Sequence, residues 1–145
     1  MTGPDPPHPV SREVVFDGSI MTVTVDILRH PDGSEARFEV VEHPDAVTIV
    51  PVDELGNVVM VRQYRHATRR ALLELPAGKL ERGEDLAAAT QRELREETGL
   101  AAGELRPLGG FYAAPASSPS TCTCSWPGTC APRPLSPTRS RSTRW

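Results

Sequence analysis

The segment GKLERGEDLAAATQRELREETGL, from Gly78 to Leu100, decides the fold. We predict a single helix that opens at residues 83–85 and runs to about Thr98. Acidic residues in the first turn and a glycine just past the last turn are typical of such a helix.

The predicted helix carries three glutamates on one face. Residues at i, i+3 and i+4 share a helix face, so Glu93, Glu96 and Glu97 lie close together. Like charges at that spacing repel and lower helix stability unless something positive lies among them. One interpretation is a solvated face on which Arg92 and Arg95 neutralise the glutamates. The cluster taken alone does not indicate an enzyme.

The spacing of the whole segment supports a sharper interpretation. Gly78 is followed by five residues and Glu84, then by seven residues and the run Arg92-Glu93-Leu94-Arg95-Glu96-Glu97-Thr98-Gly99-Leu100. This pattern resembles the Nudix box, a glycine and a glutamate followed by R-E-aliphatic-x-E-E-x-G-aliphatic, and it matches at every fixed position. The resemblance implies an α/β Nudix fold, in which a mixed β-sheet is flanked by helices.

The resemblance also implies a metal-dependent active site. Hydrolysis of a phosphoanhydride uses divalent cations that bridge the phosphate oxygens, neutralise their charge and acidify an attacking water. The cation implied is Mg²⁺, with Mn²⁺ as a second candidate. The expected ligands are Glu93, Glu97, the assisting Glu96 and the carbonyl of Ala77. Arg92 is expected to orient a ligand glutamate, and Glu84 to hold the loop against the helix.

Segments outside the box indicate the substrate. VEHPDAVTIVPVD, VVMVRQYRHATRRALLELPAGKLERGED and ELRPLGGFYAAP resemble the ADP-ribose pyrophosphatase branch over residues 12–115. In that branch the arginines of VRQYR and the glutamate of ELPAG line the diphosphate site; here these are Arg62, Arg65 and Glu74. An exposed strand arginine can equally be only solvated. Phe16 is the candidate for adenine stacking, and packing in the core is its alternative.

The function implied is metal-dependent hydrolysis of ADP-ribose to AMP and ribose 5-phosphate, or of a related nucleotide sugar, in a homodimer. A catalytically impaired, nucleotide-binding remnant of such an enzyme is the first alternative. An interaction module that uses the Pro-rich ends is the second, and only composition favours it.

Composition limits the other classes of function. With 145 residues, 38% of them hydrophobic, the chain is long enough for one domain. A formal net charge of −3 argues against nucleic-acid binding. No apolar run approaches the roughly 20 residues that span a bilayer, so we expect a cytoplasmic protein without membrane contact. Cys122, Cys124 and Cys130 lack partners for a disulfide framework or a zinc site.

Alternating apolar and polar residues predict antiparallel sheet over the first 75 residues. Strands over 13–43 are expected to turn at 17–18 and 31–33, and AVTIVPVD and VVMVRQYR are expected to pair around a turn at 54–57. LLELPAG is predicted to enter a loop, and ELRPLGGFYAAP to form a further strand.

Both ends of the chain are predicted to be disordered. Residues 1–11 are Pro-rich, whereas 116–145 contain no Asp or Glu and are rich in Pro, Ser, Thr and Arg. Regrouping the codons of this tail by one base permits GFFAEYMHLFLARDLRP, the continuation expected in the family. We therefore hypothesise that a one-base deletion or sequencing error near codon 115 or 116 puts the tail out of frame, leaving the fold incomplete at its C-terminus. A native disordered tail is the alternative.

Overall fold

The computed structural model describes residues 5–127 and 130–132. Within these residues the chain forms eleven strands and one helix. They are, in chain order, β1 His8–Asp17, β2 Thr22–Arg29, β3 Glu35–Glu42, β4 Ala46–Ile49, β5 Val61–Arg65, β6 Arg70–Glu74, β7 Ala77–Lys79, α1 Leu86–Thr98, β8 Leu100–Ala102, β9 Leu105–Tyr112, β10 Thr121–Pro127 and β11 Cys130–Pro132. Two compact units result: one contains 5–44 with 112–121, and the other contains 45–111 with 122–127 and 130–132.

The first unit contains a three-stranded antiparallel sheet in the order β1-β2-β3. The β1–β2 turn is closed by the Gly18 amide, which donates to the Met21 carbonyl at 3.0 Å. The β2–β3 turn places Gly33 at a φ of 86°, a left-handed conformation that favours glycine. The predicted strands and both predicted turns are confirmed.

The second unit contains the four-stranded order β7-β4-β10-β9. Strand β4 runs antiparallel to β7 and parallel to β10, so this sheet is mixed, as the family resemblance implies. Helix α1 contacts β4, β7 and β8. Ile49 of β4 and Leu94 of α1 are fully buried, and Leu100 and Ala102 pack against them. The core therefore joins the sheet to the helix that carries the predicted site.

The second strand pair predicted from sequence is wrong. Strand β4 pairs with β7 and β10, whereas β5 forms a hairpin with β6, and a single bridge, Val52 to Val58, joins the segments between β4 and β5. The predicted turn does form, because Asp53 accepts the amides of Leu55 and Asn57. Beyond it the chain diverges, since both edges of β4 are already paired.

The segment LLELPAG is not the predicted loop. It contains the end of β6 and the start of β7, separated by Leu75 and Pro76. Pro76 has no amide to donate, but its carbonyl accepts the Ile49 amide at 2.9 Å. This bond starts the pairing of β7 with β4, which continues from Ala77 to Lys79.

The ends are more ordered than predicted. Strand β1 begins at His8, and β10 and β11 lie in the tail predicted to be disordered. Alternating Thr and Cys residues of β10 suit a strand, and they pair in parallel with β4 from Cys122 to Ser125. Residues 1–4, 128–129 and 133–145 lie outside the described residues, so the disorder predicted there stays a prediction. So does the out-of-frame origin of the tail.

No helix within residues 5–127 and 130–132 is long and apolar enough to cross a membrane. The cytoplasmic location stays a prediction.

Candidate active site

Helix α1 begins and ends as local capping chemistry dictates. Asp85 is its N-cap and accepts the amides of Ala87 and Ala88 at 3.0 and 3.1 Å. Gly99 ends the helix at a φ of 73° and donates its amide to the Arg95 carbonyl. The predicted bounds are confirmed. The prediction of acidic residues in the first turn is wrong, because the acidic residues lie just before the helix, where Asp85 caps it.

The edge of β7 that does not pair with β4 faces the charged side of α1. The Pro76 carbonyl bonds to β4, and backbone N–H and C=O groups alternate between the two edges of a strand. Those of Ala77 and Lys79 therefore point to the opposite edge. There the Ala77 amide donates to Glu97 Oε2 at 3.1 Å, and the Lys79 carbonyl accepts Arg92 Nη2 at 3.1 Å. Both backbone groups of a strand residue lie on the same edge. The carbonyl of Ala77, a predicted metal ligand, therefore also lies on the α1 side.

Arg92 links α1 to the loop before it. Its Nε and Nη2 donate to the two oxygens of Glu84 at 2.9 and 2.8 Å, and its Nη1 donates to Glu93 Oε1 at 2.6 Å. The Arg92 guanidinium lowers the pKa of the Glu84 carboxyl to about 2, helped by the Glu81 amide. This geometry suits the orienting role predicted for Arg92.

The Glu84–Arg92 pair should make stability depend on pH in the acid range. Since the pKa of Glu84 falls from 4.5 to about 2 on folding, its contribution is fully present above pH 4.5 and is lost as the pH falls toward 2. We expect the free energy of unfolding to depend less steeply on pH in Glu84→Gln, because glutamine does not ionise. Urea unfolding at several pH values between about 5 and 3 measures the slope. Glu81→Gln, which removes a nearby exposed carboxylate, should keep the slope of the parent; equal slopes in the parent and Glu84→Gln would contradict the assignment.

Glu93 is held in a confined position beside β7. Its side chain is 12% exposed, and burial raises the pKa of its carboxyl, with Arg92 offsetting part of this effect. A Cβ atom added to Gly78 would overlap the Glu93 carboxylate. Glycine at position 78 is therefore required by the close approach of the glutamate to the strand.

Glu97 and Glu96 differ in how firmly they are held. Glu97 Oε1 accepts Gln63 Nε2 at 2.9 Å, and its Oε2 accepts the Ala77 amide. Glu96 is 61% exposed and lies 3.9 Å from Arg92 Nη1. The structure therefore anchors two of the three predicted ligand glutamates against β5 and β7 and leaves the third largely in solvent.

The β5–β6 hairpin places two of the three predicted phosphate-site residues on one face. Arg65 donates to both oxygens of Glu74 at 2.6 to 3.1 Å, which raises the pKa of Arg65 and lowers that of Glu74. Alternation along paired strands puts Gln63, Arg65 and Glu74 on the same face. Arg62 lies on the opposite face, apart from them.

Gln63 is the site residue that the sequence reasoning missed. It stands between the two arginines of VRQYR, and only its contact with Glu97 shows its connection to the box. The alternation of side chains along a strand was the available signal, because it places Gln63 on the same face as Arg65 and on the opposite face from Arg62.

Phe16 lies on β1 in the first unit and is 56% exposed. Its alternative role, packing in the core, is excluded by this exposure. The adenine-stacking role stays a prediction.

A family model described as NUDIX domain matches residues 42–138. The chain belongs to the NUDIX domain family. It is 38% identical over 106 residues to the ADP-ribose pyrophosphatase of Bacillus subtilis (strain 168), covering 73% of this chain and 57% of that protein. It is 44% identical over 110 residues to the ADP-ribose pyrophosphatase of Mycobacterium tuberculosis, covering 75% of this chain and 53% of that protein. The chain thus spans a little over half the length of these curated relatives.

A solved structure described as an ADP compounds hydrolase matches with a TM-score of 0.83 and 25% identity, covering 96% of this chain and 76% of that one. The family and the fold predicted from the box are confirmed by these matches. The resemblance to the ADP-ribose pyrophosphatase branch is confirmed by the names of the relatives.

The donor atoms of this NUDIX box fit a hard divalent cation. Carboxylate and carbonyl oxygens are the ligands that Mg²⁺ prefers, and Glu93, Glu97 and the Ala77 carbonyl lie along the shared border of α1 and β7. Among residues 5–127 and 130–132, no three His, Cys, Asp or Glu side chains converge as a preformed metal site. A cation here would therefore draw on two glutamates and backbone oxygen, with water or substrate oxygens completing its coordination.

Proposed function

We propose that this NUDIX domain hydrolyses the diphosphate of ADP-ribose or a related nucleotide sugar, using Mg²⁺ or Mn²⁺, to a nucleoside monophosphate and a sugar phosphate. The observation that carries the proposal is the pair Glu93 and Glu97, held against the edge of β7 beside Gly78. The relatives named ADP-ribose pyrophosphatase support the choice of substrate.

Each side chain of the site has a physical task in this reaction. Glu93, Glu97 and the Ala77 carbonyl would hold the cation, and Glu96 would bind through water. A bound divalent cation supplies charge neutralisation on the phosphates and an acidified water. Arg92 keeps Glu93 oriented and ties it to the loop before α1. Glu74 holds the Nε and Nη2 groups of Arg65, and the Nη1 end of the same guanidinium would donate to the phosphate oxygens.

The test is incubation of the chain with ADP-ribose and MgCl₂, with AMP and ribose 5-phosphate followed by chromatography. We expect both products in equal amounts, and their formation should stop when EDTA removes the metal. GDP-mannose in place of ADP-ribose measures how far the substrate range extends. A rise in melting temperature with ADP-ribose but no AMP would contradict hydrolysis and favour the alternative, an impaired nucleotide-binding remnant.

The two arginines of β5 should differ in their effect on substrate binding. Arg65→Ala should raise the KM for ADP-ribose by about tenfold or more, since hydrogen bonds to charged groups contribute about 1.5–3 kcal/mol. Arg62→Ala, on the opposite face of the same strand, is the matched comparison and should change KM less than about threefold. Initial rates of AMP release give both values. Equal effects of the two substitutions on KM would contradict the assignment of diphosphate binding to the Arg65 face.

A homodimer is part of the proposal. All ten residues of β1 are exposed, and Val14, Val15 and Phe16 are each more than half exposed. An edge strand with exposed apolar side chains favours association with a second copy. Sedimentation equilibrium should give twice the monomer mass, and Val14→Lys should lower it to the monomer mass. A monomeric parent would contradict this part of the proposal.

A further inference from the structure

Gln63 connects β5 to the helix that carries the NUDIX box. It is partly buried, and its Nε2 donates to Glu97 Oε1 at 2.9 Å. The other oxygen of Glu97 accepts the Ala77 amide at 3.1 Å. Glu97 is thus held from two strands at once, one bond to each carboxylate oxygen.

The two anchored glutamates are held by donors of different charge. Arg92 holds Glu93 through a cationic guanidinium at 2.6 Å. Gln63 and the Ala77 amide hold Glu97 through neutral N–H groups. A neutral donor fixes the direction of a carboxylate without cancelling its charge, and each carboxylate oxygen has a second lone pair free to bind a cation. Glu97 is therefore oriented by uncharged groups, one at each carboxylate oxygen.

We infer that Gln63 is a positioning residue that orients Glu97 for metal binding. This inference rests on the proposed function, because it assigns Glu97 to the cation. Gln63 acts through Glu97 and need not touch the cation itself. Loss of such an outer-shell partner typically weakens metal binding by about 10- to 100-fold.

Titration with Mn²⁺ alone, read as the free Mn²⁺ signal in electron paramagnetic resonance, tests the inference without any substrate. We expect Gln63→Leu to weaken Mn²⁺ binding by about tenfold or more. Gln63→Asn, which keeps the amide but is one methylene shorter, should also weaken it and serves if the leucine variant does not fold. Melting curves establish that each variant is folded.

Gln91 provides a matched control. This glutamine lies on α1 itself, but its amide bonds to the backbone of Ala102, at 2.8 and 3.2 Å, instead of to a carboxylate. Gln91→Leu should lower the melting temperature and leave Mn²⁺ affinity unchanged. A general loosening of α1 would weaken binding in both glutamine variants and would overturn the inference.

A double substitution tests whether Gln63 acts through Glu97. In a Glu97→Gln background, Gln63→Leu should cause no further loss of Mn²⁺ affinity, because the group it orients is gone. Folded Gln63 variants that bind Mn²⁺ like the parent, or an additive loss in the double variant, would overturn the inference. Weakened Mn²⁺ binding in a chain that releases no AMP would instead refute the proposed hydrolysis alone. A parent that binds no Mn²⁺ would refute both.

Discussion

Glu97→Gln should lower kcat for ADP-ribose hydrolysis by more than about 100-fold. The substitution keeps the shape of the side chain but removes the charge that we assign to the cation. Loss of an outer-shell partner alone costs about 10- to 100-fold, so loss of a ligand charge should cost more. AMP release at saturating Mg²⁺ and ADP-ribose measures the change.

The same substitution should leave the fold intact. Glu96 and Glu97 each act on Glu93 as a like charge, so removal of the Glu97 charge relieves repulsion. The Ala77 amide can still bond to the glutamine oxygen, and the Gln63 amide can turn to accept from its nitrogen. We therefore expect a melting temperature equal to or above that of the parent, as is common when an active-site charge is removed.

Glu81→Gln is the control for the change in charge. It removes an exposed carboxylate just before α1, and it should keep the kcat of the parent. A Glu97→Gln variant with the kcat of the parent would show that the glutamate face is structural, the interpretation that composition alone first suggests.

The parts of the fold that follow from short-range chemistry were predictable. The bounds of α1 depend on an Asp85 side chain that reaches two amides and on a Gly99 that adopts a positive φ, and both are local to the sequence. The turns at Gly18 and Gly33 are local in the same way.

Pairing between distant segments was not predictable. Strand β4 pairs with β7 and β10 and not with β5, the next strand in the sequence, and β10 lies more than 70 residues further along the chain. Alternation identifies a strand but not its partner. The tail was predicted wrongly for a related reason: its Thr and Cys residues suit a strand, but the strand forms against an edge of β4 that the tail itself does not reveal.

The site shows the same division between local and distant information. Helix spacing places Glu93, Glu96 and Glu97 on one face, and the resemblance to the family is what names them as expected ligands. Their partners lie on β5 and β7, and no spacing within the box identifies Gln63 or the free edge of β7. The alternation that separates Arg62 from Arg65 was visible in VRQYR, but it has meaning only once one face of the hairpin is known to turn toward α1.

Gly78→Ala should remove activity while sparing the fold. The added methyl would occupy the position of the Glu93 carboxylate. Because that carboxylate is the end of a flexible side chain, it can rotate away at small cost to stability, but it then leaves Arg92 and the α1–β7 border. We expect kcat to fall by more than about 100-fold and Mn²⁺ binding to weaken at least tenfold, as for a lost ligand, with a melting temperature within a few degrees of the parent.

Two comparisons make the Gly78 prediction specific. Gly110→Ala on β9 adds the same methyl, but there it meets the Cys122 carbonyl at an ordinary 3.4 Å, so activity should match the parent. In a Glu93→Ala background, Gly78→Ala should lower Mn²⁺ affinity no further, because no carboxylate remains to be displaced. A Gly78→Ala variant with full activity would mean that Glu93 can leave β7 without consequence, so Glu93 would not be a ligand. A Gly78→Ala variant that loses activity but binds Mn²⁺ with the affinity of the parent would instead assign Gly78 to substrate approach, since the cation would still be held.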